Sequence, residues 1–371
     1  MQSHLVFVIG TRAQLIKVAP VVVACERFGL AAILLMTGQH QETMQDLIEE
    51  FSIKSPQVSA LPASERSTVR SLLSWLPAAY RGVSRQLKLL AKPGVSLDVL
   101  VHGDTLSTLV GALAGRRCGA RIVHLESGLS SGRIFDPFPE EFCRRLVFRM
   151  TDVAMCPNAQ AADYMRLHHD ALVIDTKGNT IIDSVILTGA ASIGRESKRP
   201  YLVVSLHRFQ NIYVAQRLRN LVGLVESLAE TYLIHFVLHP ATRRRLEAGG
   251  FMARLSSVPN LNLMPRMGYR DFLRLAAGAA CVLTDGGSNQ EELAALGVPT
   301  LVMRERTERP DGLGSNAVME ASIAQGVAQF VQEERFVQLR QPAMDLHQEG
   351  PSHCIAQFLA DEGLSSLPAN P

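Results

Sequence analysis

Short, continuously apolar runs that alternate with helix-like segments constrain this chain more than any other feature. LVFVIG (5–10), AAILLM (31–36), LDVLVHGD (97–104), RIVHLE (121–126) and DVAMCP (152–157) are such runs. Helix-like stretches lie between them, from about Leu15 to Phe28, in the forties, over 106–118 and from near Glu140. A strand that is apolar on both faces must be covered on both faces, which is the parallel sheet with crossover helices. The alternation restarts at YLVVSLHR (201–208) and continues through LIHFVLHP (233–240), NLNLMP (260–265), CVLTD (281–285) and PTLVMR (299–304). KGNTIID (177–183) and the polar GRESKRP (194–200) separate the two halves. We therefore expect an α/β chain of two Rossmann-like domains with parallel sheets, 1–176 and 177–353. A last helical segment, 354–371, is expected to return to the first domain and end in a frayed tail. Ligands of such sheets bind beyond the carboxyl ends of the strands, which places the expected site in an interdomain cleft.

A length of 371 residues suits two cores better than one. The net charge of +2 supplies no bulk field for nucleic acid or an anionic membrane surface, and neither is expected as a partner. The six cysteines are scattered without a CxxC pair, as in reduced core thiols of a cytoplasmic protein. LVFVIG is too short for a signal-peptide core, and no run reaches the length of a membrane span.

The polar loops at strand ends hold the candidate chemistry. GTRAQLIKVAP (10–20) puts Arg12 at a helix start and Lys17 within that helix, a plausible anion site. HGDTLST (102–108) puts Asp104 at a strand end, where an aspartate also serves as a helix cap. In HLESGLSSGRIFDPFPEE (124–141), Glu126 ends an apolar strand, where a carboxylate is costly to bury without a partner or a purpose. Glu140 and Glu141 open the next helix, a position that the helix dipole favours for structural reasons alone. Asp104, Glu126 and a helix-start glutamate converging on one place would form a proton-transfer site with separable pKa values. GLSSG fits a nucleophile-elbow pattern at Ser130, but that motif needs a tight strand-to-helix turn, and here the helix waits until Glu140. SLHRFQN (205–211) places His207 and Arg208 at a strand end, a pair able to hold a diphosphate and move a proton. TDGGSNQEE (284–292) opens a helix through Gly286, Gly287 and Ser288, a phosphate-shaped loop without a lysine that carries Glu292. A GxGxxG fingerprint after the first strand, a GxxxxGK[ST] loop and zinc-ligand spacing are all absent from the sequence, so neither a cofactor nor a metal is expected.

In order, GTRxxxIKxAP, HGDT, HxExGL, PEE, HR, TDGGSNQEE and RERTERP make the chain resemble the UDP-N-acetylglucosamine 2-epimerase family, in its bacterial non-hydrolysing branch. The resemblance implies a GT-B-like pair of domains and inversion at C2 of UDP-GlcNAc to give UDP-ManNAc. The implied route eliminates UDP to a glycal and adds it back, without NAD. It implies Asp104, Glu126, Glu140 and His207 as catalytic. It implies Arg12, Lys17, Arg208, Gly286, Gly287, Ser288, Glu292 and Arg309 as contacts to the UDP-sugar, with Glu292 on the ribose. It further implies a homodimer and a role in surface polysaccharide precursor synthesis. The sequence departs from the family pattern at Ala13-Gln14 in place of Pro-Glu, at Ser130 in place of arginine, at HRFQ for HRRE and at Gly286-Gly287-Ser288 for SGG. Arg133 in SGRIF is a candidate replacement for the missing arginine. A hydrolysing relative that releases UDP and free sugar, a glycosyltransferase on the same fold and an idle nucleotide-sugar binder are the alternatives.

Overall fold

The computed structural model describes residues 3–39, 44–62, 69–91, 94, 96–130, 132, 139–190, 199–307, 310–344 and 350–365. The polar stretch 194–198 of GRESKRP lies outside them. The chain divides into two compact units, Met1–Ser184 together with Gln348–Pro371, and Val185–His347.

The first unit holds β1 (Ser3–Ile9), β2 (Ala32–Met36), β3 (Gln57–Ser59), β4 (Ser96–His102), β5 (Arg121–Leu125), β6 (Val153–Cys156) and β7 (Leu172–Asp175). They form one sheet in the order β3-β2-β1-β4-β5-β6-β7, with every pairing parallel. β6 is buried throughout, whereas the edge strands β3 and β7 are partly exposed. That exposure is why neither edge stands out as a buried run in the sequence. Val6, Val8, Val99, Val101 and Ile122 of the strands pack with Trp75 into one core. The helix Leu106–Arg117 lies tight on this sheet, because a Cβ at Gly111 would come within 2.8 Å of Val101 and 3.0 Å of Val8.

The C-terminal helix Pro351–Ser365 packs on the helix Arg12–Arg27. Asp183 accepts the Ser352 amide at 2.7 Å, and Arg121 joins Asp98 to Glu362, both at 2.8 Å. The Ser184 hydroxyl donates to the Ile16 carbonyl at 2.5 Å. These ties keep the start of the helix Ile181–Thr188 with the first unit, so the division falls after Ser184 and not at 176.

The second unit holds β8 (Tyr201–Ser205), β9 (Leu233–Leu238), β10 (Leu261–Pro265), β11 (Cys281–Thr284), β12 (Thr300–Val302) and β13 (Ala317–Met319). The order is β10-β9-β8-β11-β12-β13, again all parallel. Leu202, Val204, Phe236, Leu283 and Leu301 anchor its core. The topology has a consequence for function. The strand order reverses between β1 and β4 in one sheet and between β8 and β11 in the other, and ligands of open α/β sheets bind at such switch points. Among the described residues no helix is long and apolar enough to cross a membrane.

Candidate active site

The β1–β4 switch point of the first unit gathers charged side chains into nearly closed networks. Thr11 caps the helix Arg12–Arg27 by accepting the Gln14 amide at 3.3 Å. Gln14 returns its side-chain oxygen to the amides of Gly10 (3.0 Å) and Thr11 (3.2 Å). Its Nε2 donates to the His102 carbonyl and the Thr108 hydroxyl, both at 2.9 Å, and the residue is only 2% exposed. A glutamate could not make those last two donations. Ala13-Gln14 thus staples the β1 loop to β4, with the amides of Gly10, Thr11 and Gln14 already satisfied. Arg12 pairs with Asp46 at 2.5 Å. Lys17, expected at a phosphate, is 3% exposed and donates to Glu126 Oε1 at 2.7 Å.

Glu126 follows β5 and takes φ +58°, the left-handed region in which a non-glycine residue carries about 1–3 kcal/mol of strain. Asn179 Nδ2 donates to the same Oε1 at 2.6 Å, and His102 Nε2 lies 3.6 Å from Oε2. A buried carboxylate costs several kcal/mol unless it is paired and hydrogen-bonded, and Lys17 with Asn179 meets that condition. The carboxylate borders a small recess lined by Met155, Pro157, Thr176, Asn179, Thr180 and Ile355.

Asp104, just beyond β4, is paired with Arg144. The two helix-start glutamates separate in role. Glu141 is fully buried and accepts from Arg144 (2.8 Å), Arg145 (2.9 Å) and the Ser130 hydroxyl (2.5 Å). It is a structural clamp, and Ser130 serves it and has no nucleophile geometry. Glu140 is half-buried, and its Oε2 has no hydrogen-bond partner among the described residues. A buried oxygen of that kind asks for an explanation, and a reacting group supplies one. Between Asp104 and Glu140, the Cys143 thiol is pushed up to about 12, first by burial and then by those two carboxylates, and is inert. His124 is fully buried and held by the Gly103 carbonyl at 2.8 Å. Burial, and after it the Arg144 charge, lowers its pKa to about 4, so it stays neutral and fixes the loop carrying Asp104.

The second unit works mainly through backbone. The helix Gly287–Ala295 starts soon after β11 with Gly286 at its N-cap and no side-chain cap, an arrangement of helix-start amides suited to an anion. Thr284 accepts the Gly286 amide at 3.1 Å and donates to Asn289 Oδ1 at 3.2 Å, which sets the loop. A Cβ at Gly286 would stand 2.5 Å from Asn289 Oδ1 and 3.3 Å from His207 Cε1. Glu292 is 1% exposed, and its Oε2 accepts from Asn289 at 3.0 Å. His207 and Arg208 follow β8 and are tied by their amides to Asp285. Arg309 and Arg133 lie outside the described residues. Among the described residues no group of three or more His, Cys, Asp or Glu is placed to hold a metal ion.

The structure brings Lys17, Glu126, His102 and Asn179 together in one network and Asp104, Glu141 and Arg144 in a second. In the other unit it brings His207, Arg208 and Gly286 around Asp285. Sequence reasoning missed Gln14, Asn179, Arg144 and Asp285. Only Asp285 carries a sequence signal, because it ends a buried strand as Glu126 does.

Two parallel α/β units, with carboxylates at the strand ends of one and an uncapped glycine-opened helix in the other, form a GT-B-like fold of the kind that handles nucleotide sugars. Within that class, the chain belongs to the UDP-N-acetylglucosamine 2-epimerase family, whose profile matches residues 24–354. The UDP-N-acetylglucosamine 2-epimerase of Methanocaldococcus jannaschii is 30% identical over 323 residues, covering 82% of this chain and 84% of that one. That of Bacillus subtilis is 29% identical over 318 residues, covering 82% and 80%. Among solved structures, Staphylococcus aureus MnaA with UDP superposes with a TM-score of 0.79 at 27% identity, covering 100% of this chain and 99% of that one. The Neisseria meningitidis UDP-GlcNAc 2-epimerase bound to UDP-GlcNAc, at 24% identity and a TM-score of 0.76, covers 99% and 100% and adds likeness of fold.

Proposed function

We propose that this chain is a non-hydrolysing nucleotide-sugar 2-epimerase that interconverts UDP-GlcNAc and UDP-ManNAc, or a related UDP-2-acetamido sugar. The observation that carries the reading is Glu126, a strand-end carboxylate on left-handed backbone, gripped at one oxygen by Lys17 and Asn179. A general base withdraws the C2 proton. The C2–H electron pair becomes the C1=C2 bond, and the C1–O pair leaves with the β-phosphate of UDP. The UDP oxygen then returns to C1 while a proton is delivered to the opposite face of C2. Glu126, Asp104, Glu140 and His207 supply the acid and base groups. Arg208 and the amides after Gly286 hold the departing diphosphate, whose charge grows as the bond breaks. Glu292 serves the ribose. Arg309 and Arg12 complete the anion contacts. The step needs no redox cofactor, because C2 inverts by loss and regain of a proton. We place the enzyme in the cytoplasm as a homodimer that supplies precursors for surface polysaccharide.

Incubation with UDP-GlcNAc in D2O, followed by NMR, tests the reading. UDP-ManNAc carrying deuterium at C2 is expected. Free UDP with free sugar would mean hydrolysis, and neither exchange nor product would overturn the assignment to this substrate.

A further inference from the structure

We propose that Asp285 is a positioning residue for His207, fixing the ring tautomer so that Nε2 is the nitrogen left to take up a proton. The inference rests on the role given to His207 above. Asp285 follows β11 and is fully buried. Its Oδ1 lies 3.3 Å from His207 Nδ1. The same carboxylate accepts the His207 amide at 3.0 and 3.1 Å and the Arg208 amide at 3.0 Å. One group therefore references both the backbone and the ring of the β8 loop. With a carboxylate oxygen 3.3 Å from Nδ1, a lone pair on that nitrogen is disfavoured and a proton there is favoured, so the neutral ring keeps its proton on Nδ1 and leaves Nε2 as the proton acceptor.

The surroundings hold the pair in place. Asn211 Nδ2 donates to Asp285 Oδ2 at 2.7 Å and to the Met303 carbonyl at 2.9 Å. Asn211 Oδ1 accepts from Arg217 Nε at 2.9 Å, and Arg217 Nη1 reaches Glu320 at 2.7 Å. Behind the buried carboxylate, then, stands an amide–guanidinium chain that orients it. The ring itself packs against Gly286, where the lack of a Cβ leaves it room. His239, with its ring centroid 5.4 Å away, is held below the ordinary histidine range by burial and then by the charges of His207, Arg266 and Arg244. It remains uncharged at neutral pH and does not compete for the carboxylate.

Ring 15N shifts of His207 in the unliganded full chain, assigned by their loss in His207→Gln, read the tautomer directly. The expected result is a proton on Nδ1 in the wild type and a shift toward Nε2–H in Asp285→Asn. An Nε2–H ring in the wild type would overturn the proposal whether or not the variant folds. Kinetics supply the second arm. Asp285→Asn should lower kcat by roughly 10- to 100-fold, within the range a positioned acid–base group contributes. In a His207→Gln background the same change should add less than about twofold, because the partner through which it acts is gone. Equal losses in both backgrounds would mean a merely structural carboxylate and would overturn the proposal. Because the NMR arm uses no substrate, an Nδ1–H ring in a protein that fails to epimerise UDP-GlcNAc would count against the function above and not against this pairing.

Discussion

The two switch points solve opposite problems with different parts of the chain. In the first unit, three acids, two bases and two amides lock one another: Lys17 and Asn179 hold Glu126, Arg144 holds Asp104 and Glu141, and Gln14 seals the amides of the β1 loop. In the second unit the helix Gly287–Ala295 has no side-chain cap, and the carboxylate beside it, Asp285, accepts the amides of His207 and Arg208 in the loop after β8. A proton-moving group must be held still and kept from neutralising its neighbours, so its partners come from distant segments. A diphosphate brings its own charge, so its host needs only oriented N–H groups and space. On the proposed mechanism the carboxylates of the first unit and the diphosphate host of the second are separable, and each can be damaged without the other.

Glu126→Gln should break that separation most severely. It removes the charge that Lys17 compensates, and C2 exchange should fall by about 10²- to 10⁴-fold while UDP affinity, measured by calorimetry, holds. Weakened UDP binding of the same size would refute the division of labour. Asn179→Ala removes one donor from Glu126 Oε1. Hydrogen bonds to charged groups are worth about 1.5–3 kcal/mol, so kcat should drop roughly 10- to 100-fold with UDP affinity unchanged.

Much of this was legible in the sequence, and the pattern of what was not is physical. The buried strands showed as apolar runs because both faces are covered; β3, β7 and β13 lie at sheet edges and are short or half-exposed, so they left no such mark. Glu126 was visible because a carboxylate ending an apolar strand is expensive. Asn179 was not, since its partner lies in another segment and KGN reads as a separator. Glu140 and Glu141 are indistinguishable by sequence, as both favour a helix start; only burial and partners divide them. Lys17 reads as a phosphate ligand from its helix position, and its pairing with Glu126, from a distant segment, was not legible in the sequence.

On the binding side the effects should be smaller. Gly286→Ala places a Cβ against Asn289 and His207 and should weaken UDP about tenfold, some 1.4 kcal/mol, with the C2 exchange rate at saturation changed much less. An unaltered dissociation constant would mean that this loop is not the diphosphate host.

The least effect on activity, though not on stability, belongs to His124. Its folded pKa of about 4 lies below the ordinary 6.5, so the unfolded chain binds the extra proton between those values. Stability should therefore rise with pH across that window and be lost as pH falls from 6.5 toward 4, by up to about 3 kcal/mol for this group. Denaturant unfolding of His124→Asn should show a flatter slope over the same range, and a slope equal to wild type would remove His124 as its source.

The central claim is that the C1–O bond breaks while UDP stays held. UDP-GlcNAc carrying ¹⁸O in the bridge between C1 and the β-phosphate tests it most directly. Before any free sugar accumulates, the label is expected to scramble into the non-bridging oxygens of the β-phosphate in substrate recovered from the reaction. Epimerised product with the label still wholly in the bridge would contradict it.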